Sequence, residues 1–137
     1  MTGAPIAEVP ETAATGATAS LYADIRDVQG LPLVNLIWRH LATAPGALEW
    51  AWTTARPLYA GGGALAGAEG AVAGVELPTI TSIPHTVSRL AGLTDGDRMA
   101  VVHVLNTYNR GNSLNLVALT ALAEDLLDRG GAPILNA

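Results

Sequence analysis

The sequence predicts an all-α domain, a compact bundle of about six or seven helices. Three observations carry this reading. Apolar residues recur at three- and four-residue spacing along most of the chain. Prolines and glycines fall between these periodic stretches rather than throughout them. The one alternating stretch, TITSI at 79–83, has no second stretch to pair with as a sheet. The 137 residues fit one domain, and half of them are hydrophobic. With no Phe and 4% aromatics, the expected core is mainly Leu, Val, Ile and Ala.

The elements follow in order. Residues 1–17 contain Pro5, Pro10 and Gly16 and read as a flexible or loosely docked arm, leaving 18–137 as a single helical domain. In SLYADIRDVQG (20–30), Ser20 can cap, Leu21, Ile25 and Val28 recur at helical spacing, and Gly30 is the stop. A second helix is expected over 31–45, with Pro32 in its first turn, Leu33, Val34, Ile37, Trp38 and Leu41 on a broad apolar face, and Pro45 as its end. A third runs over 46–63 with Leu48, Trp52 and Ala55 on one face and Pro57 kinking or shortening its end. The Gly/Ala-rich stretch 61–74 predicts a short, weak helix near 64–73. After it come a loop broken by Pro78 and Pro84 and a short helix over Thr86–Ala91. The next helix starts at Thr94 or Asp95, buries Met99, Val101, Val102, Leu105 and Tyr108, and stops at Gly111. The last restarts at Asn112 or Ser113 and ends at Arg129 before a double glycine.

Composition excludes several function classes. Net charge is −5, and the seven basic residues, all Arg, form no cluster, which argues against nucleic acid. There is no Cys, hence no disulfide, thiolate metal site or Cys nucleophile. His40, His85 and His103 lack ligand-like spacing, so no metal site is expected. No stretch is long and apolar enough for a membrane span, and 1–17 lacks the pattern of a secretory leader. The expected location is cytoplasmic.

Four asparagines, Asn106, Asn109, Asn112 and Asn115, stand at three-residue intervals in LNTYNRGNSLNLVAL (105–119). With a helix junction at 109–113, Asn112 or Ser113 is placed to cap the last helix and Asn109 to bond free carbonyls. Capping does not account for all four. Asn106 and Asn109 share a face with His103 and Arg110. Amides gathered near a helix start can hold a carboxylate or orient a water. In VNLIWRH (34–40), Asn35 and Trp38 are neighbours on a helix, where an amide beside an indole lines a pocket or simply packs in the core.

Two segments, YADIRDVQGLPLVNLIWRHLA and LNTYNRGNSLNLVALTAL, resemble the group I 2-haloacid dehalogenases, the DehI family. The resemblance covers about residues 21–130 and implies an AhpD-like helical fold. In that family two repeats of about this chain's size pack as a pseudo-dimer around the active site. Halide is removed from both enantiomers of a 2-haloacid by an activated water, without a covalent ester. This chain is similar to one repeat, which implies a homodimer and a small carboxylic acid ligand, with no cofactor. The family's water-holding Asn carries over to Asn109 or Asn112; apart from the resemblance, His103 and His85 are candidate bases. Asn35, Trp38, Tyr108 and Asn115 are expected to line the substrate pocket. The family's catalytic Asp belongs to the second repeat's version of the VNLIWR helix, and here that stretch contains no acid.

The leading expectation is therefore a DehI-like enzyme acting on a small 2-haloacid. The alternative is a non-catalytic binding or assembly subunit of the same fold, pairing with an Asp-bearing partner half.

Overall fold

The computed structural model describes residues 6–79, 81–82 and 84–130, with only the backbone at 129 and 130. Among these, six helices and a 3-10 turn at Glu11–Ala13 are present and no strand. The helices are α1 (Gly16–Gln29), α2 (Leu36–Leu41), α3 (Ala47–Ala60), α4 (Gly63–Ala73), α5 (His85–Leu90) and α6 (Asp95–Gly130). None of them is long and apolar enough to cross a membrane. Part of the 79–83 loop, the final double glycine beyond Gly130, and the Arg129 side chain lie outside the described residues.

Helix α3 is the hub, packing against α1, α2, α4 and α6. Its buried face is the Leu48–Trp52–Ala55 stripe read from the sequence, extended by Ala51 and Tyr59. The helix continues past Pro57 for one more turn and ends at Ala60, short of the expected 63. Pro57 is exposed, and the buried Ala55 and Tyr59 on either side hold its backbone in place. The core is aliphatic by number, but its largest fully buried side chains, Trp38, Trp52 and Tyr22, are aromatic. Four of the six aromatic residues, Tyr22, Trp38, Trp52 and Tyr59, sit at its centre. Trp38 meets Trp52 edge-on with ring centroids 5.4 Å apart. Trp52 Nε1 donates to Asp24 Oδ2 (2.6 Å), which Arg56 also engages through two N–H groups, joining α1 to α3. These bonds, Arg56 first, hold the Asp24 carboxyl below its ordinary range.

Several helix boundaries differ from the sequence reading. α1 begins at Gly16 with Thr15 as its N-cap residue. Ser20 therefore lies inside the helix and donates to the Gly16 carbonyl. Gly30 does end α1, in a left-handed conformation (φ 63°). α2 is only six residues long, because the chain turns through 31–34 before the helix starts, so Pro32 is not in its first turn. It ends at Leu41, before Pro45. The N-terminal segment is tied down from Ala7 to Glu11. The Ala7 carbonyl meets His40 Nδ1, Val9 N–H donates to the Arg39 carbonyl, and Tyr22 donates to the Val9 carbonyl.

The largest correction concerns α6. The two expected final helices are one 36-residue helix, and Gly111 does not end anything. Its φ is not positive, unlike that of Gly30 at the end of α1. A Cβ at Gly111 would stand 3.0 Å from Leu31 Cδ1 and 3.1 Å from both amide atoms of Asn35. The residue is glycine because α6 passes close against the turn before α2. Continuity also spares the backbone groups that two helix ends at 109–113 would leave unpaired. Neither Asn112 nor Ser113 caps a helix. Ser113 Oγ instead donates back to the carbonyls of Asn109 and Arg110. The true start of α6 is a reciprocal box. Thr94 Oγ1 accepts from Asp97 N–H (3.1 Å), and Asp97 Oδ2 accepts from Thr94 N–H (2.8 Å). The first half of α6 is also not the buried stripe expected. Met99, Val101, Val102, Leu105 and Tyr108 are all substantially exposed.

Two glycine substitutions test this account. Gly70→Ala, where a Cβ meets nothing within 4 Å, is expected to stabilise α4 by about 0.5–1 kcal/mol. Gly111→Ala, equally helical, is expected to lose roughly 1 kcal/mol, because overpacking against Leu31 and Asn35 exceeds that gain. Urea unfolding of the two variants beside the parent chain gives both signs.

Candidate functional site

The four asparagines do not share one pocket. Continuous α6 turns them to three environments, because three-residue steps drift around a helix with 3.6 residues per turn. Asn115 is buried in the core. Its side-chain oxygen accepts from Gln29 Nε2 of α1 (3.1 Å), Trp38 Nε1 of α2 (3.1 Å) and Tyr59 OH of α3 (2.8 Å). Asn115 Nδ2 and Gln29 Oε1 have no partner. Burial pushes the Tyr59 phenol well above its ordinary value. Trp38 is fully buried, so it serves this network and the core rather than facing an open pocket.

Asn106 and Asn109 face α4. Together with Glu69, Arg110 and Ser113 they border an open groove of about 550 Å³ floored by Leu65, Ala68, Val72 and Leu114. α4 lies close to α6 because Gly67 leaves room for Val117, whose Cγ1 would be 2.9 Å from a Cβ there.

Asn112 faces the opposite side. It lines a cavity of about 520 Å³ with Tyr108, Asn35, Arg39, Glu11 and an apolar wall of Leu33, Val34 and Leu36. Three residues expected to line a site, Asn35, Tyr108 and Asn112, thus meet here. Asn109 borders the groove instead, and His103 lines neither. His103 stands on the exposed first half of α6.

The local fold explains the cavity's chemistry. Asn35 precedes α2, where its carbonyl accepts from Trp38 and Arg39 N–H, and its side chain makes no cap bond. That leaves the amide turned to Gly111, with Oδ1 buried and unpartnered. Arg39, one helical turn later, pairs with Glu8 through Nη1 (2.6 Å) while its Nε is buried without a partner. Glu11 is committed on both oxygens. Oε1 accepts from Val34 N–H (2.7 Å), and Oε2 pairs with Arg26. The cavity is therefore lined by two amides, a guanidinium, a phenol and one engaged carboxylate, with Arg39 Nε and Asn35 Oδ1 buried behind its surface. That set suits a small ligand carrying both an acceptor and a donor, such as a carboxylate with a water beside it. Among the described residues no group of three His, Cys, Asp or Glu is placed to hold a metal ion.

Known proteins can now be set beside this geometry. Over 125 residues the chain is 36% identical to a configuration-inverting 2-haloacid dehalogenase from Alcaligenes xylosoxydans xylosoxydans. The chain is similar to a 2-haloacid dehalogenase. The alignment covers 88% of this chain and 42% of that enzyme, so the chain spans about two fifths of its relative's length. No family model and no solved structure matches.

Sequence reasoning missed Gln29, Tyr59, Arg39, Glu11 and Glu69. For Gln29 and Tyr59 a signal existed. Asn115 sits on the apolar stripe Leu114, Ala118, Leu122, and a buried amide there requires donors from neighbouring helices. Arg39 follows Asn35 by four residues, which places both on one side of α2. Glu11 and Glu69 reach their sites only through tertiary packing.

Asn115→Leu is expected to cost about 3 kcal/mol or more, because an isosteric apolar side chain strands three buried donors. Denaturant unfolding measures this. The raised Tyr59 value has a defined sign. The fold holds the neutral phenol, so this contribution is complete below the unfolded value of about 10 and declines as pH rises beyond it. Tyr59→Phe is expected to flatten the alkaline decline in stability, read from unfolding midpoints on either side of that pH.

Proposed function

We propose that this chain is a DehI-family, dehalogenase-like unit that takes a small 2-halocarboxylic acid into the cavity between α2 and α6. The observation that carries the proposal is the convergence of Arg39, Asn35, Asn112 and Tyr108 on one cavity. The 36% identity to a 2-haloacid dehalogenase supports the chemical class.

In this reading Arg39 and Asn112 donate to the substrate carboxylate, and Tyr108 closes one side. A water held between the Asn35 and Asn112 side chains attacks C2. The C–O bond forms as the C–halogen bond breaks, the electron pair leaves with the halide, and the water's proton passes to a carboxylate. Glu11 is the carboxylate at this cavity. An attack by water from the face opposite the halogen inverts C2, in keeping with the name of the similar enzyme.

One observation favours a second reading. Both oxygens of Glu11 are already engaged, by Val34 N–H and by Arg26, which weakens it as a base. The cavity is then a binding half whose water-activating acid comes from another chain.

Halide release from each enantiomer of 2-chloropropionate separates these readings. Under the first, the chain releases halide, Arg39→Gln raises KM roughly 10- to 100-fold through loss of a charge-assisted bond, and Asn112→Ala lowers kcat/KM by about 10²-fold. Saturable binding without turnover selects the second. A folded chain that shows neither overturns both.

A further inference from the structure

Residues 7–14 form a strap beside the cavity that is held almost wholly by polar contacts. None of their side chains is buried; Glu8, Val9, Glu11 and Ala14 are half-buried and the rest are exposed. Of the strap's apolar side chains, Ala14 alone packs against the hydrophobic core. Three hydrogen bonds tie its backbone down: Val9 N–H to the Arg39 carbonyl (3.0 Å), the Tyr22 hydroxyl to the Val9 carbonyl (2.9 Å), and His40 Nδ1 with the Ala7 carbonyl (2.7 Å). Its two carboxylates supply the rest. Glu11 pairs with Arg26 and accepts from Val34 N–H, and Glu8 pairs with Arg39. A segment fastened this way, by part-exposed ion pairs and without a buried apolar anchor, belongs to the low-stability end of a fold.

We infer that Glu8 is a latch: it occupies the edge of Arg39 that an incoming carboxylate needs, so an acid entering the cavity displaces Glu8 and loosens the strap. The inference rests on the reading of Arg39 as the carboxylate-binding residue of the cavity. Guanidinium geometry carries it. A guanidinium grips a carboxylate through two adjacent N–H groups, either Nη1 with Nη2 or Nε with one Nη. Arg39 Nε is buried without a hydrogen-bond partner, which closes the second edge to a ligand. Nη1 lies 2.6 Å from Glu8 Oε2, which closes the first. A two-pronged grip on a ligand therefore requires Glu8 to leave. The latch itself is imperfect. Glu8 Oε2 is buried and, despite the ion pair, makes no hydrogen bond. A buried polar atom in that condition costs stability, so the closed strap is held weakly enough to exchange with a ligand. Charge points the same way. Glu8, Arg39, Glu11 and Arg26 together are neutral while the strap is closed. Displacing Glu8 leaves one positive charge there, which a ligand carboxylate neutralises again.

The test combines two measurements on the full chain. Calorimetric titration reads the binding of propionate, which has the carboxylate but no halide to lose. Hydrogen exchange of the Val9 amide reads strap closure through its bond to the Arg39 carbonyl. Glu8→Gln is expected to bind propionate roughly two- to five-fold more tightly than the parent chain, the scale of one part-exposed ion pair. Val9 exchange is expected to quicken in the parent at saturating propionate, and in Glu8→Gln without it. The amide of Asn115, buried in α6, is expected to keep its protection in both cases. Propionate that binds the parent with Val9 exchange unchanged, or that binds Glu8→Gln no better, overturns the latch and leaves the carboxylate-binding role of the cavity standing. Binding to neither chain overturns that role and the latch with it.

Discussion

The side-chain oxygen of Asn115 receives hydrogen bonds from three helices at once, and the positions of α1, α2 and α3 around α6 depend on it. Gln29, Trp38 and Tyr59 each bring a buried donor to this atom. A buried donor without a partner costs more than an ordinary hydrogen bond contributes, so packings that separate these helices from α6 are penalised. Apolar contacts around Trp38, Trp52 and Tyr59 supply the driving force. The amide network selects one arrangement among the many that burial alone allows. Aromatic rings with polar edges suit this role better than aliphatic side chains, since they fill the core and still donate.

That anchoring sets where the candidate site lies. Trp38 is pinned to α6 by its indole N–H, which places Asn35 and Arg39 on the same short helix beside Tyr108 and Asn112. Gly111 permits the close approach that brings the Asn35 amide against α6. Core and cavity are thus two sides of one contact: the turn of α6 at 111–115 faces the network below and the cavity above. The ion pairs Glu11–Arg26 and Glu8–Arg39 dock the N-terminal segment as one wall of the cavity. They also use up most of its charge, which leaves individual polar atoms, rather than a net field, to recognise a ligand.

Continuity of α6 shapes the rest of the molecule. A break at Gly111 would have let the preceding helix fold back onto the body and bury its apolar residues there. As a single rod of 36 residues, α6 instead carries those residues away from the core. The same feature separates Asn109 from Asn112, one toward α4 and the other toward α2.

Much of the fold was legible in the sequence because helical periodicity is local. The all-α class, the stripe Leu48–Trp52–Ala55, the stop at Gly30, the weak α4 and the Thr94 cap all follow from spacing and backbone preference within a few residues. Asn35 and Tyr108, expected at a substrate pocket, and Asn112, expected to hold a water, line one cavity, while Trp38 and Asn115 are buried in the core. What only the tertiary structure decided is whether a glycine ends a helix or makes room for a neighbour. Gly30 and Gly111 both follow a periodic stretch, yet one is left-handed and the other is helical against Leu31. It also decided which side-chain oxygens gather donors in the core and which are left without one, since Asn115 Oδ1 and Asn35 Oδ1 differ in partners rather than in chemistry. Those outcomes are set by which surfaces meet across long stretches of chain, and a local pattern carries no record of its distant partner.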